Sequence, residues 1–485
     1  MFEMSYMYYR LPEELDNRLD VLYNSTLFDA VYATIKNSIY PFVSLGSMID
    51  LSTERRDPRK EPDVEFSYVN IGCIDTFVGI PYPSTMIGSE ATSDRMRMVI
   101  NKGDVLVSTT RPTRDAICVV PQEYDDQICS TGLAVLKNKP DVDIRFLFFS
   151  LRSQITNKQL EKHCSGSGYP AIIKEDLCEI LLPKPTLPQQ NYIVGQLTPI
   201  YDMVVKLRLK AEQIRIASSD KLVSELKISI PLVADINYCH STGKEKESLH
   251  FTVFPDSLQD RLHYLYYHPN RMILTLFMDM YNTCCLSDIC TVPITRGKQP
   301  DYADESTEYI VIKTTNLKNE FIDYSDCMNV TKAFFYKHDS GHLRKGDILI
   351  ASTGVGSLGK VDIYEGDVPA IADSHLSIIR VDSKRYNPYF VLYFLRSHLA
   401  QIQISMLFTG ASGQIELQPT DVAKIAIPSC DDTDGKAVVD KCEQDRIATI
   451  VGKELKKLRR INKQAEDMNE MLNLKYEELI FRTRR

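Results

Sequence analysis

Two long amphipathic segments stand out in the pattern of apolar and polar positions along the chain. Apolar residues recur at steps of three and four from Ile193 to Ile214, and again from Ile447 to Leu479. This spacing is typical of a helix with one apolar seam. The seam positions predicted to pair are Ile193, Leu197, Ile200, Val204, Leu207, Leu455, Leu458, Met468 and Leu472. Because a long apolar seam is rarely left in water, we expect the two helices to bury each other as an antiparallel coiled coil about 55 Å long.

The segments before the two helices mix short β-rich runs with a helical pattern. Residues 347–351 and 360–364 are predicted strands divided by glycine and aspartate turns. Residues 146–154 and 389–401 carry the apolar spacing of a helix. Each segment is therefore predicted to be an α+β module with a small sheet, either largely antiparallel or mixed.

The two mixed segments are similar to each other. KGDVLV at 102–107 matches KGDILI at 345–350, and FLFFSLRS at 146–153 matches FVLYFLRS at 390–397. Further matches pair residues 18–23 with 261–266, 68–71 with 309–312, and 176–183 with 421–428. All offsets fall between 241 and 245 residues, so a tandem duplication accounts for them better than chance.

This duplication sets the predicted domain boundaries. A first module is expected at residues 1–185, a helical region at 186–227 and a linker at 228–255. A second module follows at 256–429 and a second helical region at 430–485. The two modules are called domain 1 and domain 2 below.

Composition is that of a soluble globular protein. Hydrophobic residues make up 44% of the 485 positions and charged residues 25%, which argues against extensive disorder. No apolar run reaches the ~18 residues of a membrane span, and the start lacks a signal-peptide pattern, so a cytoplasmic protein is expected. The twelve cysteines form no C-x-x-C pair and are expected to be reduced thiols. A net charge of −8 is unusual for a nucleic-acid binder, but positive charge can be local or supplied by partner subunits.

Two motifs suggest enzymatic chemistry, and each has a structural alternative. Residues 354–360 nearly spell a phosphate-binding loop, but a strand is predicted where such a loop requires a helix, so a glycine-rich hairpin loop is preferred. Asn387 begins an Asn-Pro-Tyr-Phe sequence that resembles the base-gripping motif of adenine methyltransferases. It lacks the second proline of that motif, and a helix start is preferred. The nine histidines form no metal-hydrolase pair, so no catalytic, cofactor-binding or metal residue is assigned.

Polar loops are better candidates for a functional site. The candidate DNA-binding residues are Thr109, Thr110, Arg111 and Arg114 in domain 1, and Arg296, Lys298, Thr353, Ser357 and Lys360 in domain 2. Hydroxyl and cationic side chains donate to phosphates and base edges, although solvated turns use the same residue types. The functional interpretation is favoured because the sequences of the predicted strands and helices repeat between the domains while the loop residues differ. That pattern suits two modules of one shape with different base preferences.

Over essentially the whole chain, this order of elements resembles the specificity (S) subunits of type I restriction-modification systems. The KGDILI word, the TGASGQ turn at 409–414 and the helix starts near Gln190 and Gln444 are similar to features of that family. The resemblance implies two target-recognition domains that each read one half of a split double-stranded DNA target, with the helices setting the gap. It also implies two modification (M) subunits that bring S-adenosylmethionine and the adenine methyltransferase site, and restriction (R) subunits that cleave DNA using ATP. The chain itself would then be a non-catalytic subunit without a cofactor, and whether R subunits accompany it stays open.

Two other functions stay open at this stage. A coiled-coil adaptor would bind proteins through the same modules and should lack salt-dependent binding to duplex DNA. A nucleotide-dependent enzyme or a methyltransferase would rest on the loop at 354–360 and the Asn387 motif. Such an enzyme should bind ATP or a methyl donor.

Overall fold

The computed structural model describes residues 23–166, 170–228, 271–354, 356–410 and 415–481. Most of the repeat words at 18–23 and 261–266, the predicted linker beyond residue 228, and positions 411–414 of the TGASGQ turn lie outside these ranges.

Domain 1 contains short strands arranged in two main sheets. Its strands are β1 (Phe42–Ser44), β2 (Ile49–Leu51), β3 (Glu65–Val69), β4 (Ile74–Asp75), β5 (Ile80–Pro81), β6 (Ser84–Ile87), β7 (Met96–Ile100), β8 (Val105–Ser108), β9 (Ile117–Val119), β10 (Gln127–Ser130), β11 (Leu133–Asn138) and β12 (Leu181–Pro183). Its helices are α1 (Asp29–Lys36), α2 (Ile144–Leu151), α3 (Gln154–His163) and α4 (Lys174–Glu179), and the long α5 (Leu187–Glu225) follows. One sheet, β2-β11-β8-β9, is antiparallel. The other, β6-β3-β10-β7, is mixed because β3 and β10 are parallel. Strands β1 and β12, and β4 and β5, form two further antiparallel pairs.

The antiparallel sheet of domain 1 is covered on both faces. Every residue of β8 is buried. Val105 and Val107 pack into the core formed with α2 and α3, whereas Leu106 packs on the opposite side with Ile100 and Cys129 of the mixed sheet. Because β8 is buried on both faces, the KGDVLV sequence contains an uninterrupted apolar run.

Domain 2 repeats this layout. Its strands are β13 (Thr283–Cys285), β14 (Thr295–Arg296), β15 (Ile310–Ile312), β16 (Met328–Asn329), β17 (Ile348–Ala351), β18 (Val361–Ile363), β19 (Ala370–Ala372), β20 (Leu376–Ile379) and β21 (Ala426–Pro428). Its helices are α6 (Arg271–Met280), α7 (Lys332–Lys337), α8 (Pro388–Arg396), α9 (His398–Leu407) and α10 (Pro419–Val422), and the long α11 (Lys441–Ile480) follows. The antiparallel sheet β14-β20-β17-β18 corresponds to β2-β11-β8-β9, and the parallel pair β15–β19 to β3–β10. The predicted α+β class with small mixed sheets in two repeated domains is confirmed.

One prediction about the helices was wrong. The sequence pattern predicted single helices at 146–154 and 389–401, but each domain has two consecutive helices there. The breaks fall at Ser153 and Ser397, whose backbones are extended and which are the N-caps of α3 and α9. The Ser153 hydroxyl accepts a hydrogen bond from the Thr156 amide at 3.3 Å. Serine at such a position satisfies an unpaired amide of the new helix, which favours a break there.

The strand pairing also corrects one repeat match. In the two parallel pairs, Val69 lies opposite Cys129 and Ile312 lies opposite Ala372. Strands β10 and β19 are followed by the equivalent strands β11 and β20, so Val69 corresponds to Ile312. The sequence comparison matches Val69 with Ile310, two residues earlier. A slip of two residues keeps each side chain on the same face of a strand, so the apolar pattern could not reveal it.

The two long helices lie side by side and run antiparallel. Near domain 1, the start of α5 and the end of α11 share a core, and near domain 2 the end of α5 and the start of α11 share another. Midway, Ala211 and Ile214 pack against Leu458 and Ile461. Of the predicted seam, Ile193, Leu197, Val204, Leu458 and Leu472 are buried, and Ile200, Leu207, Leu455 and Met468 are partly buried. Supercoiling of this pair as a coiled coil stays a prediction.

Candidate nucleic-acid interface

The candidate residues of domain 1 lie in the turn that joins β8 to β9. This turn packs against a second loop more than fifty residues further along the chain. Thr110 forms an isolated bridge with Ala171, and the Arg111 amide donates to the Pro170 carbonyl at 2.7 Å. Residues 109–115 together with 165, 166, 170 and 171 are called tip 1. Thr109, Thr110, Arg111 and Arg114 are thus brought together in one place.

Domain 2 builds an equivalent structure between β17 and β18. Thr353 forms an isolated bridge with Glu416, and the Gly354 amide donates to the Ile415 carbonyl at 3.4 Å. Residues 352–354 and 356–360 together with 409, 410, 415 and 416 are called tip 2. It contains Thr353, Ser357 and Lys360. A strand and not a helix follows Lys360, as the hairpin-loop interpretation of 354–360 predicted.

The matched hydrogen bonds place Arg111 where domain 2 has Gly354. Both residues have left-handed backbones, with φ of 49° for Arg111 and 92° for Gly354. Glycine adopts this conformation freely, whereas a residue with a Cβ is strained by about 1 kcal/mol or more. Domain 1 therefore keeps a long cationic side chain at a position where glycine would be more stable. Strain of this kind is found most often at functional sites.

The end of the tip 1 turn is held firmly by neighbouring elements. Asp115 also has a left-handed backbone, and the Asn157 side chain of α3 donates to the Asp115 carboxylate and to the Thr113 carbonyl, both at 3.0 Å. Burial raises the pKa of Asp115, and the nearby Arg152 opposes that rise. A turn fixed in this way presents its outer side chains from a rigid base.

Arg296 of domain 2 has a more internal environment than the sequence suggested. It forms an ion pair with Glu416 at 2.6 Å and donates to the Leu417 carbonyl at 3.2 Å. Two of its guanidinium nitrogens are therefore engaged in holding the second loop of tip 2. Its role as a DNA contact stays a prediction, with part of its charge neutralised.

Lys298 lies at the edge of tip 2 among residues that sequence reasoning missed. Its backbone amide donates to the Ala372 carbonyl at 2.8 Å, and its side chain is half-buried. Nearby, the Thr353 hydroxyl and His375 Nδ1 are 2.7 Å apart, and the Ser374 hydroxyl donates to Gln299 Oε1 at 3.1 Å. Gln299, Ser374 and His375 thus join tip 2 through long-range pairing. The one signal in the sequence was the polar turn directly before the buried strand β20.

Arg95 is a residue near tip 1 that sequence reasoning also missed. It is exposed, and its carbonyl accepts from the Thr131 amide at 2.9 Å. Next to Thr131, the Gly132 carbonyl accepts from the Thr109 amide at 2.9 Å. The equivalent carbonyl in domain 2 belongs to His375, which accepts from Ser352. The two tips therefore share a backbone framework and differ in the side chains attached to it.

The Asn387 motif is a helix start. The Asn387 side chain accepts from the amides of Tyr389 and Phe390, and α8 begins at Pro388. Within the described ranges, no group of three or more His, Cys, Asp or Glu side chains is arranged to hold a metal ion. No helix in the same ranges is long and apolar enough to cross a membrane.

Comparison with known families decides which group this architecture belongs to. The model of the type I restriction modification DNA specificity domain matches twice, at residues 39–214 and 278–465. The chain belongs to this family. The two matches cover most of the chain, one over each domain with most of its following helix.

Individual relatives are distant. The MjaX type I restriction enzyme specificity subunit of Methanocaldococcus jannaschii is 36% identical over 118 residues, which is 24% of this chain and 26% of that protein. The match thus spans about a quarter of that relative. Among solved structures, the HsdS subunit from Thermoanaerobacter tengcongensis is 22% identical, with 91% of this chain and 96% of that chain covered and a TM-score of 0.35. The type I S subunit from M. genitalium is 14% identical, with 92% and 96% covered and a TM-score of 0.40.

Proposed function

We propose that this chain is the DNA-reading subunit of a type I restriction-modification assembly, in which tip 1 reads one half of a split target and tip 2 reads the other. The observation that carries the proposal is the pair of tips with one backbone framework and different polar side chains. Arg111 stands where tip 2 has Gly354, and Gly132 stands where tip 2 has His375. Two readers of one shape with different contact residues suit a target whose halves differ.

The helix pair supports a target with a fixed gap. Leu197 lies in the core beside domain 1 and Leu222 in the core beside domain 2. At about 1.5 Å per residue, the helix between them rises about 38 Å. One turn of B-DNA is about 34–36 Å, so readers at this spacing meet the same face of the duplex at successive turns. The proposed target therefore has half-sites about one turn apart, centre to centre.

The chemistry is assigned to partner subunits. In this proposal, two M subunits bind the two repeated halves of the chain and carry S-adenosylmethionine and the methyltransferase site, and R subunits, where present, use ATP. The chain itself is non-catalytic and acts in the cytoplasm, where bacterial and archaeal DNA lies. Calorimetry of the purified chain with ATP and with S-adenosylmethionine checks this division, and saturable binding of either would contradict it.

The decisive experiment is sequencing of methylated adenines in DNA from cells that express the chain with its M subunit. The native chain should give two short defined half-sites around a gap of fixed length. Arg111→Gly should relax or change only one half-site, and His375→Ala only the other, so each variant is the control for its partner. A continuous motif, or one in which both halves change together, would contradict the proposal. Absence of a motif from an intact complex would favour the adaptor function.

A further inference from the structure

Two arginines at matching positions are enclosed between the tips and the long helices. Arg152 directly follows the last residue of α2, Arg396 is the last residue of α8, and both occupy the same place in the repeated FLFFSLRS and FVLYFLRS sequences. The Arg396 side chain is only 9% exposed. Neither arginine belongs to a tip, so DNA contact does not account for them.

In domain 1, Arg152 connects the strand hairpin of tip 1 to the loop at 75–79. Its two terminal nitrogens donate to four backbone carbonyls. Two belong to the hairpin, those of Asp115 at 3.2 Å and Ile117 at 3.5 Å, and two belong to a loop at 75–79, those of Thr76 and Phe77, both at 2.9 Å. The planar guanidinium can make this set of contacts at once because its donors are fixed in a fork.

The loop at 75–79 rests on α5. Asp75 forms an ion pair with Arg208 of α5 at 3.2 Å, and the Tyr201 hydroxyl of α5 donates to the Val78 carbonyl at 2.7 Å. The Arg208 guanidinium also lies 5.6 Å from the centre of the Phe77 ring. A continuous chain of contacts therefore runs from the tip 1 hairpin through Arg152 to the long helix.

Domain 2 makes the same connection with different residues. Arg396 donates to the Val361 carbonyl at 2.8 Å and to the buried Asp362 carboxylate, both in strand β18 behind tip 2. Asp362 accepts from the Asn319 amide at 2.9 Å, and the Asn319 side chain accepts from the Val361 amide at 3.0 Å. Next in the chain is Glu320, which reaches the long helix.

Glu320 is bound by two side chains of α11. Arg459 donates from Nε to the Glu320 carbonyl at 3.1 Å, and the Asn462 side chain donates to the Glu320 carboxylate at 2.9 Å. Domain 1 is thus attached to α5 and domain 2 to α11, so each domain is attached to the helix that follows it. Both domains have a contact network from the tip to the following helix, although the residues that contact the helix differ. This indicates that the attachment of the tip to the helix has a function.

We infer that these two arginine-centred networks are positioning devices that fix the gap length of the split target. The inference rests on the proposed function. A gap defined to a single base pair requires each tip to be held to within about 3.4 Å, the rise of one step. The shared cores hold each domain at one end of the helix pair. The contacts of Arg208 and Tyr201, or of Arg459 and Asn462, supply a second point of support further along the helix.

The test changes the helix end of one network, where the side chains of Arg459 and Asn462 are half-exposed. In the double variant Arg459→Gln with Asn462→Ala, both contacts to the Glu320 loop are lost while Arg396 and the core stay intact. Methylation rates are measured for the complex with M subunits on duplexes with the native gap and with gaps one base pair shorter or longer. Arg460→Gln, an exposed arginine one residue away, is the matched control.

The double variant should methylate the altered gaps at least tenfold better relative to the native gap, with both half-site sequences unchanged. Because the readout is a ratio within one preparation, a loss of folded protein alone would not move it. An unchanged ratio would overturn the inference. If the double variant lost all methylation, Tyr201→Phe in domain 1 would decide, because it removes only one hydroxyl. An unchanged ratio there would also overturn the inference, and a relaxed one would support it. If the native complex itself showed no split target, the proposed function would fail, which is a distinct result.

Discussion

Replacing Gln190 by alanine is expected to weaken the junction between domain 1 and α5 by about 3–5 kcal/mol. Gln190 is fully buried, and its side-chain amide donates to the carbonyls of Asp141 at 3.0 Å and Pro185 at 2.9 Å. It also accepts from the Asp143 amide at 2.8 Å. Each bond contributes about 1 kcal/mol, and buried groups left without partners add to the loss. Since Asp143 caps α2 and Pro185 lies just before α5, one side chain joins two helix starts.

Calorimetric unfolding of the purified chain measures the effect. A loss of this size lowers the transition of a domain of 150–250 residues by about 10 °C. Hydrogen exchange should also become faster in peptides that contain the Asp143 amide. Gln196→Ala, at an exposed site on the same helix, is the control and should change stability by less than about 0.5 kcal/mol.

The second domain supplies an internal comparison. Gln444, the counterpart of Gln190, is also fully buried, donates to the Val439 carbonyl at 2.9 Å and accepts from the Asn387 amide at 2.9 Å. With two bonds instead of three, Gln444→Ala should cost about 2–3 kcal/mol. The reasoning would be refuted if Gln190→Ala were neutral, or if Gln444→Ala were clearly the more damaging change.

Three further predictions concern the helix pair and the buried charges. Tyr476→Phe, which removes a buried 2.9 Å hydrogen bond from α11 to Ser150, should cost about 1–2 kcal/mol in denaturant unfolding. Burial raises the pKa of Asp362 from 3.8 to about 6, so its ionisation destabilises domain 2 as pH rises through this window. Asp362→Asn should remove a pH-dependent loss of up to about 3 kcal/mol, measured by urea unfolding at pH 4 and pH 6.5. Inserting seven residues at matched levels in α5 and α11 adds about 10 Å and should lengthen the methylated target's gap by about three base pairs.

The features that could be predicted from the sequence were those that depend on patterns of neighbouring residues. The two-sided burial of β8 and β17 requires apolar runs, and the duplication repeats those runs. The seam of α5 is visible because Ile193, Leu197 and Val204 must all be buried on one side of a helix. The polar turns at Thr109 and Thr353 follow directly from the ends of these strands.

What stayed hidden depends on contacts between distant parts of the chain. Tip 1 is completed by residues 165, 166, 170 and 171, and no local pattern near Thr109 predicts that contact. The engagement of Arg296 by Glu416 joins residues 120 positions apart, so sequence reasoning could not see that its charge is partly neutralised. The same holds for His375, which reaches tip 2 only because β20 pairs with β17.

The limited positive charge of the tips has a consequence for specificity under the proposed function. The chain has a net charge of −8, and Arg296 beside tip 2 is paired with Glu416, which leaves Lys360 in tip 2 and Lys298 at its edge as the main cations there. A few phosphate contacts per tip give weak binding that salt abolishes readily. Two weak readers on one rigid support bind tightly only when both engage, because the second contact then becomes intramolecular. A strongly basic tip would hold a single half-site alone and make the gap irrelevant, whereas weak tips make occupancy depend on both half-sites at the correct spacing.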